Sequence, residues 1–250
     1  MRSSSIEKSE AAAVTDDAVL AGRLKLYQPA TGHRAGHDAI LLAAAAPKSE
    51  NALDLGAGVG TAGLALLTRD IASRVALVEI DAALSALSSE NAKRNGVADR
   101  AEIICADIAS GLHLQSDAFD LVLMNPPFND DAHRTSPDAA RATAHAATQT
   151  TIEDWIACAN RHCKAGGALV LIHRPEATLP ILKSLEHRFG AIEMIPVFPK
   201  PDAAAIRLIL RAVKGRKTPA KMLPGIILNN SDGSPSALAE RILRDGAALE

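Results

Sequence analysis

Short apolar runs alternate along the chain with stretches whose apolar residues recur at helical spacing, and Gly, Pro and Asn mark the change from one period to the other. The pattern predicts a helix over 38–46, stopped by Pro47, and then a strand over 51–55 that runs into a glycine-rich turn. A helix over 61–70 follows, then a strand over 74–78, a helix over 82–94 ended by Asn95-Gly96, and strands over 101–105 and 119–124. Beyond a polar stretch at 129–149, Thr150-x-x-Glu153 looks like a capping box opening a helix that ends near Gly166-Gly167. A strand over 168–172, a helix over 177–188 and the runs 192–198 and 204–213 complete the series. Repeated strand-then-helix units imply an α/β fold, a mostly parallel sheet covered by helices on both faces. Residues 1–17, rich in Ser, Ala and charge without a clear period, read as a mobile N-terminal arm, and 18–250 as one domain. The stretch 129–149 is too long for an ordinary connection and reads as a substrate loop. The tail, 199–250, holds the last strand, a basic segment and a terminal helix.

Composition changes this picture little. With 48% of its 250 residues apolar, the chain can bury a substantial core as a single domain. A net charge of −2 excludes a globally basic nucleic-acid binder but would hide a local patch. Three cysteines without a Cys-x-x-Cys, and a beginning with no apolar core of the signal-peptide kind, point to a reducing, cytoplasmic setting. The apolar run 39–46 is far too short to span a bilayer, so no membrane association is expected.

The chemistry concentrates at strand ends. The strand ending in Asp54-Leu55 enters Gly56-Ala-Gly58-Val-Gly60-Thr-Ala-Gly63 and then a helix. Glycines permit positive φ and close approach of backbone to a ligand, and the free N–H groups at a helix start attract electron-rich groups. A nucleotide-like cofactor is expected there. Gly58-x-Gly60-x-x-Gly63 also fits the dinucleotide fingerprint, with Glu79 near the position of a ribose-binding acid, so an NAD-dependent oxidoreductase stays open. Asp54 before the first glycine, and the lack of an evident hydride-transfer site, favour S-adenosylmethionine, which needs acids for its ammonium and ribose hydroxyls more than a phosphate cradle. Asp54 and Glu79 can supply them.

About seventy residues on, the run 119–124 delivers Asn125-Pro126-Pro127-Phe128. Asn offers a side-chain carbonyl, two prolines hold the backbone rigid and strip it of donors, and Phe supplies a flat apolar face. Such a set can grip an amino group on an aromatic ring. Asp54, Gly56, Glu79, Asp107 and Asn125 all fall at the carboxyl ends of predicted strands, where open parallel sheets bind ligands.

With these residues in view, the chain resembles the class I S-adenosylmethionine-dependent methyltransferases, and among them the small-domain group with an Asn-Pro-Pro-aromatic motif. It is most similar to bacterial tRNA adenine-N6 methyltransferases, which carry a stretch like Tyr27-Gln-Pro29 … Gly32-His-Arg34 … His37-Asp38-Ala-Ile-Leu-Leu42 before the glycine turn. The resemblance covers residue 20 to the C-terminus. It implies a Rossmann-like, seven-stranded twisted sheet with an antiparallel final strand. It also implies that Glu79 holds the ribose hydroxyls, that Asp107 accepts from the cofactor's adenine amino group, and that Asp38 lies near its methionine end. As local readings, Asp81 caps the next helix, and Asp107 and Asp38 fit helix caps equally well.

An aromatic amine is a poor nucleophile because its lone pair is delocalised into the ring. If Asn125 Oδ1 and the Pro126 carbonyl each accept one N–H, the nitrogen turns pyramidal and its lone pair points at the methyl sulfonium. The displacement then needs mainly positioning, with neither a metal nor a covalent intermediate. Phe128 would stack on the target base. With four Phe, one Tyr and one Trp in the chain, a single extruded base suits it better than a stacking platform. An RNA, with tRNA foremost, is the expected partner. Arg207, Arg211, Lys214, Arg216, Lys217 and Lys221, with no acid between them, offer charge for its phosphates, as do Arg134, Arg141, His145, His173 and Arg174. The resemblance leaves room for a small-molecule or protein-glutamine acceptor, and a non-catalytic RNA-binding protein would use the same basic tail. Ala146 stands where the group carries an acid after His145, a departure on the substrate side.

Overall fold

The computed structural model describes residues 13–31, 36–128 and 150–249. A hairpin of β1 (Val14–Val19) and β2 (Leu24–Pro29) comes first, followed by α1 (His37–Ala44), β3 (Ser49–Leu55), α2 (Thr61–Thr68), β4 (Ala72–Glu79), α3 (Ala82–Arg94), β5 (Ala101–Cys105) and β6 (Phe119–Met124). Then come α4 (Ile152–His162), β7 (Cys163–His173), α5 (Thr178–Leu185), β8 (Phe189–Phe198), β9 (Arg207–Lys214), the two-residue strands β10 (Lys221–Met222) and β11 (Ile226–Ile227), and α6 (Ala237–Leu243).

All strands from β3 onward form one sheet in the order β10-β8-β9-β7-β6-β3-β4-β5, with β11 also alongside β8. β3 pairs in parallel with β4 on one side and β6 on the other, so strand order reverses between β3 and β6. β9 runs antiparallel to both β7 and β8, the expected antiparallel finish. The seven long strands match the expected sheet, while β10 and β11 extend its edge in a way that two-residue runs do not announce.

Side chains of the central strands alternate between two cores, as the period of 2 in a strand requires. Leu53, Leu55, Val122, Met124, Leu169 and Leu171 face the layer of α4 and α5, where Trp155, Ile156, Ile181 and Leu185 are buried. Ala52, Leu121, Leu123, Val170, Ile172 and Ile209 face α1, α2, β2 and α6. Both faces being covered explains why these strands read as continuous apolar runs.

Several expectations need correction. The arm was expected to reach residue 17, but β1 starts at Val14 and pairs along its whole length with β2. Its sequence, Val-Thr-Asp-Asp-Ala-Val, buries no residue fully, so no apolar period marks it. The capping box is Thr151 with Asp154, one residue later than expected. That helix ends at His162 instead of Gly166-Gly167, because Cys163 is buried and already pairs with Phe119. Lys164 sits in β7, its ammonium 2.7 Å from Asp120. The helix expected over 177–188 is present but shorter, Thr178–Leu185, and a 3-10 turn, Pro175–Ala177, leads into it.

Candidate active site

The register of the sheet assembles the site. Leu55 of β3 pairs with Met124 of β6 and with Val78 of β4, so Gly56, Asn125 and Glu79 leave the sheet at one level. His173 ends β7 opposite Leu208, which sets Arg207, the first residue of antiparallel β9, at the same edge.

On the β3–β4 side the polar groups are turned inward. Gly56, Gly58 and Gly60 all have positive φ, 68°, 58° and 89°, a conformation costly for any residue with a Cβ. At Gly56 a Cβ would also stand 2.5 Å from the Trp155 ring, and at Gly60 2.6 Å from Ser88 Oγ, whereas at Gly58 it would meet open space. The turn is packed onto the protein at its ends and bare in the middle, where a ligand can approach. Glu79, 8% exposed, clamps it: Oε2 accepts from Gly58 N–H at 2.7 Å and Oε1 from Asp81 N–H at 2.9 Å. Asp54 is buried, and its Oδ2 accepts from Gly63 N–H at 2.8 Å. Burial, and secondarily the neighbouring Glu79, push its pKa up to about 7. The structure therefore gives Asp54 a bracing task beneath the turn, not the cofactor-facing one expected of it.

Asp107 caps the 3-10 turn Ile108–Ser110, accepting from Ala109 N–H at 2.8 Å, and borders a cavity of about 390 Å³ lined also by Gly111, Leu112, Asp154 and Cys158. Asp81 caps α3 as expected, accepting from Ala83 and Leu84. Two buried hydroxyls next to the glycine turn, Thr61 Oγ1 and Ser88 Oγ, have no hydrogen-bond partner among the described residues. A bare Gly58, orphaned hydroxyls and a carboxylate with lone pairs to spare suit an adenosine-containing cofactor. Sequence reasoning missed Asn91, wholly buried in α3: its Oδ1 accepts from Tyr27 N–H at 2.7 Å, and its Nδ2 donates to the carbonyls of Tyr27 and Val59 at 3.1 and 3.0 Å. It ties the hairpin to the glycine turn. A polar residue inside a helix is its one sequence signal.

On the β6–β7–β9 side the polar groups stay available. Asn125 is half-buried, Pro126 buried, Pro127 exposed and Phe128 half-buried. The Asn125 carboxamide makes no hydrogen bond to any described residue. The His173 ring meets Phe128 edge-on, centroids 4.9 Å apart. The guanidinium carbons of Arg174 and Arg207 lie over the Phe128 ring at 4.6 and 4.8 Å. Arg207 Nε donates to Asp38 Oδ2 at 2.7 Å. Asp38 accordingly sits on the β6–β7–β9 side in the first turn of α1, paired with a cation, and its side chain caps no helix. Burial first, and then the two guanidiniums, lower the His173 pKa below its ordinary value, which favours the neutral ring.

The basic run from β9 does not gather at this edge. Lys214 pairs with Phe189 at the other end of β9, and its ammonium contacts Asp117 and the carbonyls of Asn160 and Cys163 at 2.7, 2.6 and 2.9 Å. Arg216 and Lys217 follow it there, exposed. A strand of eight residues at about 3.3 Å each separates them from Phe128, so any phosphate they meet lies away from a base held there. Arg134, Arg141, His145 and the Gly32-His-Arg34 stretch lie outside the described residues.

The methyltransferase small-domain family matches residues 35–197. A tRNA1(Val) (adenine(37)-N6)-methyltransferase of Pectobacterium carotovorum is 29% identical over 74% of this chain and 75% of its own length. A ribosomal RNA small subunit methyltransferase C of Citrobacter koseri is 30% identical over 62% of this chain, which spans only 40% of that relative. Among solved structures, a protein of Agrobacterium tumefaciens described as a predicted O-methyltransferase superposes with a TM-score of 0.70 at 25% identity, covering 85% of this chain and 98% of that one. Among the described residues, no helix is long and apolar enough to cross a membrane.

Proposed function

The chain belongs to the methyltransferase small-domain family, and from that premise we propose that it transfers a methyl group from S-adenosylmethionine to the exocyclic amino group of an adenine in RNA, with tRNA as the foremost substrate. The observation that carries this reading is the Asn125 carboxamide, uncommitted among the described residues and level with the glycine turn across the β3–β6 reversal. S-adenosylmethionine, when bound, supplies the activated methyl group. Its ribose would be held by the remaining lone pairs of Glu79, its backbone-facing side by Gly58, and its adenine beside Asp107. Asn125 Oδ1 and the Pro126 carbonyl each accept a hydrogen bond from one amino N–H of the target base. That draws the nitrogen lone pair out of the ring and aims it toward the glycine-turn side. The rest of the barrier reduction comes from positioning, which in favourable systems supplies on the order of 7–11 kcal/mol. Phe128 holds the base plane, which reaches it only from a loop or after flipping out.

The relative named as acting on adenine 37 of a valine tRNA, matched over most of both chains, supports the adenine and tRNA parts. The likeness to the Agrobacterium protein favours a second reading, a small hydroxylated acceptor. Incubation with methyl-tritiated S-adenosylmethionine and either unmodified tRNA or a metabolite extract separates the two. Label recovered as N6-methyladenosine is the expected result; label on a small molecule alone overturns the RNA acceptor and keeps the cofactor.

A further inference from the structure

We propose that Arg207, anchored by Asp38, covers Phe128 in the free protein as a stand-in for the target base, and that the incoming nucleotide displaces its guanidinium from the ring onto the nucleotide's own phosphate. This inference rests on the RNA reading and names residues of the same site.

The Phe128 ring is not bare: two guanidiniums lie over it and an imidazole edge meets it. A base that stacks on the face under the Arg207 guanidinium takes that guanidinium's place. Guanidinium and base are both flat and stack on aromatic faces, so one can replace the other. A base adds a larger face than a cation does, which favours the exchange. Arg207 is suited to move a short way without leaving. Its Nε is held by Asp38 at 2.7 Å and its Nη1 by the Ile206 carbonyl at 2.8 Å. Of five N–H donors, two are thus engaged, and three remain for an anion. The side chain is about a quarter exposed, so those donors can reach a ligand. Asp38 keeps the guanidinium within a hydrogen bond of α1 whichever partner it has. The anion nearest a base stacked on Phe128 is the phosphate of the same nucleotide, and a guanidinium fork matches its oxygens. With Lys214, Arg216 and Lys217 at the far end of β9, the cations touching Phe128 among the described residues are Arg174 and Arg207.

The test uses the full chain, S-adenosylhomocysteine and an unmodified valine tRNA transcript, with binding measured between about 50 and 200 mM salt. Arg207→Ala is expected to weaken RNA binding about tenfold and to lower the slope of log affinity against log salt by about 0.7–0.9, the loss of one phosphate contact. Its affinity for S-adenosylhomocysteine is unchanged. Arg207→Gln, which keeps a donor for Asp38 but drops the charge, must lose the same slope. Arg207→Lys must recover it. A merely structural role would lower thermal stability while leaving the salt slope alone. Wild-type slope and affinity in Arg207→Ala and Arg207→Gln, in a protein whose parent binds and methylates the transcript, overturn this inference and leave the RNA reading standing. A parent that neither binds nor methylates RNA overturns both.

Discussion

The two halves of the crevice are built on opposite principles. Beside β3 and β4, carboxylates and glycines bond to one another: Glu79 holds Gly58, Asp54 holds Gly63 and Trp155 packs on Gly56. Beside β6, β7 and β9, Asn125 is uncommitted among the described residues, and two arginine guanidiniums lie over the Phe128 ring. One half is finished without a ligand and the other is provisional. A cofactor that is the same in every turnover favours a preformed cradle, because no ordering cost recurs on binding. An acceptor presented within a macromolecule favours groups that exchange protein partners for substrate ones.

The sharpest way to break the comparison is to remove the uncommitted group. Asn125→Ala should lower single-turnover methyl transfer on the order of 100- to 1000-fold, the usual effect of deleting one preorganised polar group at a reacting centre. Affinity for S-adenosylhomocysteine, measured by calorimetry, should stay within about twofold. A near-normal rate would remove Asn125 from the chemistry; a large loss of cofactor affinity would show that the two halves are not separate.

The buried acid of the preformed half gives the next effect. The folded pKa of Asp54 is about 7, above its ordinary 3.8, so between those values the folded state keeps a proton that the unfolded chain has released. Stability therefore falls as pH rises from about 4 to about 7, and levels off above 7, where the buried carboxylate is charged in both states. The full shift corresponds to on the order of 4 kcal/mol, less whatever local relaxation recovers. Denaturant unfolding of wild type and Asp54→Asn across this range isolates the contribution: the variant should gain on the wild type with rising pH. Parallel profiles would place the proton elsewhere.

How much of this was legible differs between the halves as well. α3 falls at the expected residues because its ends are marked by Asp81 on one side and Asn95-Gly96 on the other, and β5 and β6 because each is a short run rich in apolar residues. The capping box slipped because Thr150-Thr151-Ile-Glu153-Asp154 holds two overlapping candidates, and burial of Trp155 and Ile156 goes with the second. β1 left no trace, since a strand stabilised by pairing with β2 and by an Arg94–Asp16 ion pair at 2.7 Å needs no apolar face. That acids stand at strand ends could be read from the chain. Which N–H each one meets could not, because Gly63 reaches Asp54 only once α2 has packed on β4. Likewise Asp38 and Arg207, 169 residues apart, meet only through the antiparallel return of β9.

Gly56→Ala probes the preformed half by steric means. The new Cβ would sit at φ 68° and 2.5 Å from the Trp155 ring, a combination expected to cost about 1–3 kcal/mol. At this chain length that lowers Tm by roughly 2–10 °C. Cofactor binding should weaken with it, whereas Gly58→Ala, with open space at its Cβ, should lose cofactor affinity with a smaller change in Tm. Equal thermal penalties at the two positions would contradict the packed-ends, bare-middle description of the turn.

The smallest effect concerns the far end of β9 and shows why a run of cations along one strand is not one surface. Antiparallel pairing carries Arg207 to the crevice and Lys214 to the opposite edge, where its ammonium holds Asp117 and two carbonyls that begin β7 and end α4. Lys214→Ala should cost about 1 kcal/mol of stability through those hydrogen bonds. It should leave the salt dependence of RNA binding where Arg207→Ala moves it. If Lys214→Ala instead lowers the salt slope as Arg207→Ala does, the RNA extends along the whole strand, and the division between a provisional edge and a structural one must be redrawn.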